Sequence, residues 1–156
     1  MEYGFQRTKC DCVECSKFCK VMPGYLVPSD LYKIYKHPLI FSTSIHEFIT
    51  SYLRSSPGAM AIKNGSFSRI RTIVPARNKD TGYCIFLDND MKCIIHSISP
   101  FACKYFDEHM SDEEASKRSQ FGLSLIEGEE NYLFIWSILN NLGLKSKPPE
   151  ELRRNL

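Results

Sequence analysis

The chain has 156 residues, with 20 lysines and arginines against 18 aspartates and glutamates and a formal net charge of +2. So even a balance, with no long basic run, gives no argument for a DNA or RNA partner. The longest apolar stretch, around Tyr132 to Leu139, is too short to cross a bilayer. A domain of this length buries about 68–70% of its unfolded surface, so an ordinary core is expected, furnished by ten phenylalanines, eight tyrosines and one tryptophan.

The opening residues, Met1 to Arg7, contain no apolar segment of signal-peptide length, and the expectation is a soluble cytoplasmic protein without a membrane partner. Next comes Cys10-Asp11-Cys12-Val13-Glu14-Cys15-Ser16-Lys17-Phe18-Cys19, four thiols in ten residues, read as one loop that contributes several donors. Met22 to Pro28, with two prolines and a glycine, predicts an ordered loop. Ser29 reads as the N-cap of a helix ending before Pro38, and Ser44 with Glu47 as the capping box of a second helix with an apolar stripe from Ile45 to Leu53. His37 and His46, on or beside these helices, read as surface or packing residues.

From Ala59 the pattern becomes β-prone. Ala59 to Lys63 and Ser66 to Val74 flank Asn64-Gly65, a strong two-residue hairpin signal. Tyr83 to Leu87 and Lys92 to His96 flank a turn at Asp88-Asn89-Asp90, which predicts Cys84 and Cys93 on neighbouring strands or at their ends. Ser99 and Pro100 open a short helix carrying Cys103. A third longer helix starts near Ser111, and a fourth runs from about Glu129 to a C-cap at Gly143. The fourth is apolar on almost every face and is expected to be the buried helix of the core. The reading is one α+β domain over 1–156 with about four helices, a β-hairpin region and a cysteine-rich metal site. The metal-binding part covers about 10–110, the helical part 111–144, and 145–156 is a loose tail.

Thiolate is the soft ligand that selects zinc, copper(I) or iron-sulfur clusters. In a reducing cytoplasm clustered cysteines point to metal or catalysis more than to disulfides, and seven cysteines cannot all pair. The spacing from Cys10, C-x-C-x2-C-x3-C, comes within one residue of the bacterial ferredoxin run, with Lys20 where that run has proline. The second segment, with Cys84, Cys93 and Cys103, is spaced C-x8-C-x9-C, which is not the paired C-x2-C of a zinc ribbon. Lysines adjoin four of the cysteines, as Lys9, Lys20, Lys92 and Lys104. They read either as cations that lower thiol pKa or as solvated loop residues.

Cys12-x2-Cys15-x3-Cys19, followed by Met22-Pro23-Gly24-Tyr25-Leu26, Gly82 to Leu87, Cys93 to His96 and Ser99 to Phe106, resembles the YkgJ-type CxxCxxCC family of zinc- or iron-chelating domains. The resemblance covers about residues 10 to 110 and implies a metal centre on Cys12, Cys15, Cys19, Cys84, Cys93 and Cys103. A related domain occurs in flagellin lysine methylases, which turns the reading toward iron-sulfur. The chain departs from the family pattern where Lys20 follows Cys19, has Cys10 as an extra upstream thiol, and carries His96 where the family often has tyrosine. Cys10 either replaces the missing member of the doublet or is the spare thiol, the latter being preferred. His109 reads as a surface residue, and His96 belongs to the motif, although either is a candidate to complete the site.

Three functions follow. The first is a metalloprotein with an iron-sulfur cluster in a redox, metal-handling or accessory role, with a protein redox or substrate partner. The second is a structural zinc protein that acts as a protein-interaction module. The third is a thiol oxidoreductase or methyl-transfer accessory. No complete catalytic motif is recognised, because Cys12-x2-Cys15 lacks a βαβ context and no glycine-rich nucleotide loop follows a strand.

Overall fold

The computed structural model describes residues 1–156, apart from the side chains of Ala59, Ala61 and Lys63. Seven helices and one two-stranded antiparallel sheet follow in the order α1 (Val13–Val21), α2 (Pro28–Tyr35), α3 (Ile45–Tyr52), β1 (Leu53–Lys63), β2 (Ser66–Pro75), α4 (Phe101–Tyr105), α5 (Asp112–Ile126), α6 (Glu130–Asn141) and α7 (Pro149–Arg153). The α+β class stands, with more helices than the expected four. None of the described helices is long and apolar enough to cross a membrane.

The hairpin is the platform. Asn64 and Gly65 both take positive φ, 51° and 77°, as the tight turn between twisted strands demands. β1 begins at Leu53, six residues before the predicted start, because the strand tolerates Pro57 and Gly58 at a register shift between Ser56 and Ala59. Gly58 has φ +96°, and a Cβ there would lie 1.7 Å from the Ile70 carbonyl oxygen, so the irregularity requires glycine. Below it the hairpin base is buried through Leu53, Ser55, Ser56, Thr72 and Ile73, while Met60, Ile62 and Phe67 near the tip are exposed.

Loop 22–27 is stitched to this base. Leu26 N–H donates to Ile73 O at 2.8 Å. The return bond is made by a side chain of α6: Tyr132 Oη accepts from Ile73 N at 2.7 Å and donates to Leu26 O at 2.6 Å. Asp30 of α2 plays a similar part on the next layer, where its Oδ2 accepts from Val27 N at 3.0 Å and from Phe101 N, at the start of α4, at 2.7 Å. An N-terminal strap crosses α4 and α5, with Thr8 N donating to Lys104 O at 2.8 Å and Arg118 donating to Gln6 O and Tyr105 O.

Three sequence expectations need correction. α6 buries only Tyr132 and Leu139, and Phe134 is 67% exposed, because one side alone of this helix meets the hairpin and α3. The tail after Lys145 is ordered: Ser146 N donates to Ser55 O, and α7 buries Leu152. The segments around Cys84 and Cys93 are turns joined by isolated bridges, Arg77 with Cys84 and Leu87 with Cys93, and not strands.

Two substitutions test this scaffold. Tyr132→Phe leaves the buried Ile73 N–H without an acceptor and is expected to cost about 1–3 kcal/mol in denaturant unfolding; an unchanged midpoint would remove the bond from the argument. Asp30→Ala is expected to cost more, because two backbone donors lose one acceptor, whereas Asp30→Asn keeps an oxygen there and is expected to cost less. Burial holds the Asp30 carboxyl above the ordinary carboxylate range, so folding favours its protonated form and its contribution falls as pH rises through that raised value. Asp30→Asn should flatten that part of the stability profile.

Candidate metal centre

Cys12 is the N-cap of α1, and its Sγ accepts from Cys15 N at 3.5 Å. The predicted loop is therefore a helix from Val13 onward, started by a sulfur cap. That N–H bond lowers the Cys12 thiol pKa, with a further contribution from His109, whose Nε2 lies 3.2 Å from Cys12 Sγ. Cys15 is one turn on, and its Sγ accepts from Glu108 N at 3.4 Å. Desolvation pushes its thiol up to about 12. Cys10, held in place by the Thr8 to Lys104 bond just before it, completes the set. One ligand atom each from Cys10, Cys12, Cys15 and His109 lies within 4.8 Å of every other, so three thiols and an imidazole converge on one point.

The other four cysteines lie outside this group. Cys103, on α4, accepts from Gly24 N at 3.2 Å. This approach is possible because residue 24 is glycine, since a Cβ there would sit 2.5 Å from the Ala102 carbonyl carbon and 2.6 Å from Cys103 N. At Cys84 and Cys93 the backbone N–H groups of Phe86 and Ile95 favour the thiolate form. Burial raises all of these thiols, Cys84 to about 12 and Cys103 well above an ordinary thiol. Mutual repulsion adds to this, while Arg77 works against it at Cys84 and Arg7 at Cys93. Cys19 keeps exposed surface, yet the atoms packed around its thiol still raise it. A cavity of about 430 Å³ has Cys15, Cys19 and Cys103 in its wall.

Sequence matching agrees with the donor sets. The family model for CxxCxxCC, described as a putative zinc- or iron-chelating domain, matches residues 11–122. The chain belongs to this family. No curated protein and no solved structure matches it. Zinc or iron chelation is thus the property that the CxxCxxCC domain and the Cys3His geometry share.

Cys10, the preferred spare thiol, stands in the Cys3His group, and so does His109, which reads from sequence as a surface residue. Sequence offers one weak sign of it, the Asp107-Glu108-His109 cluster directly after the Cys103 helix. Its loop is set by Asp107, whose Oδ1 accepts from His109 N at 2.9 Å, and by the Glu108 N–H bond to Cys15. His96 is elsewhere, in a short 3₁₀ turn whose carbonyl accepts from Arg7. The lysines beside the cysteines serve other partners: Lys104 is buried and pairs with Glu2 at 3.4 Å, and Lys20 lies over the Tyr83 ring.

In metal-free, reduced protein the thiols should differ in reactivity. Cys12 should be alkylated first and Cys84 and Cys103 last, because burial holds Cys103 well above an ordinary thiol and Cys84 at about 12, which leaves Cys84 about a thousandfold less thiolate than an ordinary thiol at neutral pH. Peptide mass spectrometry after timed iodoacetamide exposure reads the order, and uniform rates would contradict the burial described above.

Proposed function

We propose that Cys10, Cys12, Cys15 and His109 hold a single zinc ion that fixes α1 to the 107–109 loop, and that the protein serves as a zinc-ordered interaction or accessory domain. The observation that carries this reading is the mutual approach of the four ligand atoms to within 4.8 Å. Zinc–sulfur bonds of about 2.3 Å in a tetrahedron place sulfurs about 3.8 Å apart, which suits this spacing. An iron-sulfur cluster puts several atoms between its thiolates and needs a wider shell, so the iron-sulfur reading belongs to a different set of thiols. Three soft donors and one imidazole fill a tetrahedron, leaving no open position of the kind that catalytic zinc keeps. The support is thus for a structural ion over a catalytic one.

The role follows from what α1 lacks. No residue of α1 is buried, and nine residues are too few for a helix to persist in water by itself. What the chain's residues supply is a cap at the first turn, a second thiol on the same face at Cys15, and a loop that aims Glu108 N–H and the His109 ring at those sulfurs. Zinc would add the bond that this helix does not obtain from packing. The exposed Cys10, Val13 and neighbouring residues then stay presented at the surface for a partner.

Metal analysis tests the assignment. Cys15→Ser and His109→Ala should each weaken zinc binding by more than the about 10–100-fold that loss of an outer-shell partner costs. Both should open the Val13–Val21 segment to limited proteolysis. Full zinc content and unchanged cleavage in both variants would overturn the reading.

A further inference from the structure

One side of α1 is backed by space and not by core. Cys15, Phe18 and Cys19, with Met22 just past the helix end, line the cavity of about 430 Å³. The apolar part of the remaining wall includes Val74 and Pro75 at the hairpin base, Phe106 and Met110 ahead of α5, and Leu152 of α7. Small-molecule sites span about 300–1,000 Å³, and this volume lies near the lower end. The charges in the wall form two sets on separate segments. Asp107, Glu108 and Asp112 come from the stretch that joins α4 to α5, which Glu108 N ties to Cys15. Lys147 and Arg153 come from the C-terminal stretch, which Ser146 N ties to Ser55 O of the hairpin at 2.7 Å. Several of these groups are already engaged: Asp107 Oδ1 by His109 N, Lys147 by Glu151 at 3.3 Å, and Arg77, the third cation of the wall, by the Gly82 and Val21 carbonyls. No ion pair or side-chain hydrogen bond among the described residues engages Glu108, Asp112 or Arg153. Thr72, 2% exposed, also lines the cavity, and its hydroxyl makes no hydrogen bond among the described residues. Buried hydroxyls are ordinarily bonded, so this one calls for a partner that the chain does not supply.

We propose that this cavity binds a small zwitterion with an apolar body, of the kind that an apolar dipeptide presents. The ligand's ammonium pairs with Glu108 and Asp112, its carboxylate with Arg153, and its amide with the Thr72 hydroxyl. Its side chains fill the space among Phe18, Met22, Phe106, Met110 and Leu152. Opposite charges on separate segments favour a molecule that carries both signs, because a plain carboxylate or a plain amine leaves one set of charges without a complement. Two methionines in the wall adapt to side chains of different shape. Occupancy also gives α1 the apolar contact that the chain itself does not provide. The site does not depend on which ion the Cys3His group holds.

Titration calorimetry of the full chain, purified without air, tests this with three probes: L-leucyl-L-leucine, its N-acetyl form and its C-terminal amide. The zwitterion is expected to bind at one site per chain, and each blocked form at least about tenfold more weakly, as the loss of a charged hydrogen bond implies. Arg153→Gln, a change at an exposed side chain, should weaken the zwitterion as much as amidation does and leave the affinity of the amide unchanged. The penalty for acetylation should persist in that variant. Thr72→Val should weaken all three probes without lowering the thermal midpoint, since the hydroxyl it removes has no partner in the chain. No saturable binding of the dipeptide, equal affinity for the three probes, or an amidation penalty that survives Arg153→Gln would each overturn the proposal. Should Thr72→Val fail to fold, the charge comparison on the wild-type chain and Arg153→Gln decides alone.

Discussion

Thiolates repel one another and resist leaving water, so a protein that gathers seven of them has to impose their positions from outside the sulfur groups. Here the imposing agent is the backbone N–H. Cys12, Cys15 and Cys103 each accept one, from Cys15, Glu108 and Gly24. These bonds favour the charged form of the sulfur and oppose the burial that raises its pKa. Each donor has to be aimed, and most of the surrounding architecture can be understood as the aiming.

The hairpin base does much of it. Its bonds with Leu26 and Tyr132 hold the loop that carries Gly24, and Asp30 joins the start of α2 to the start of α4, two residues before Cys103. Two buried polar side chains therefore link three layers at the point where Gly24 meets Cys103. Tyr132 Oη and Asp30 Oδ2 each make two hydrogen bonds, and a buried polar group bonded in this way stabilises a specific arrangement. The aromatic cluster around Phe101, Tyr105 and Phe121 closes the same region from the other side.

The amphipathic stripe of α3, the Asn64-Gly65 turn, the Ser111 cap and the metal-binding character of the chain were all legible from local sequence, because each depends on neighbours within a few residues. Long-range geometry was not. Nothing local says that Cys12 caps a helix, or that β1 extends through Pro57-Gly58, since both depend on partners brought by the fold. The grouping of Cys10, Cys12 and Cys15 with His109 was equally hidden. Cys15 and Cys19 are four residues apart on one short helix, yet only Cys15 joins His109 in that group. The burial of α6 was misjudged for a related reason: composition counts apolar residues, whereas exposure of Phe134 depends on how many neighbours the helix has.

The lack of any buried residue in α1 bears on the lifetime of the chain. Proteases need their substrates extended, and a nine-residue helix with no fully buried residue unfolds at little cost once its sulfurs are released. Metal-poor chains would then be cut near the N-terminus and cleared, while loaded chains persist. Abundance would follow metal supply without any change in synthesis, and the helix that carries the ligands would also be the signal for turnover.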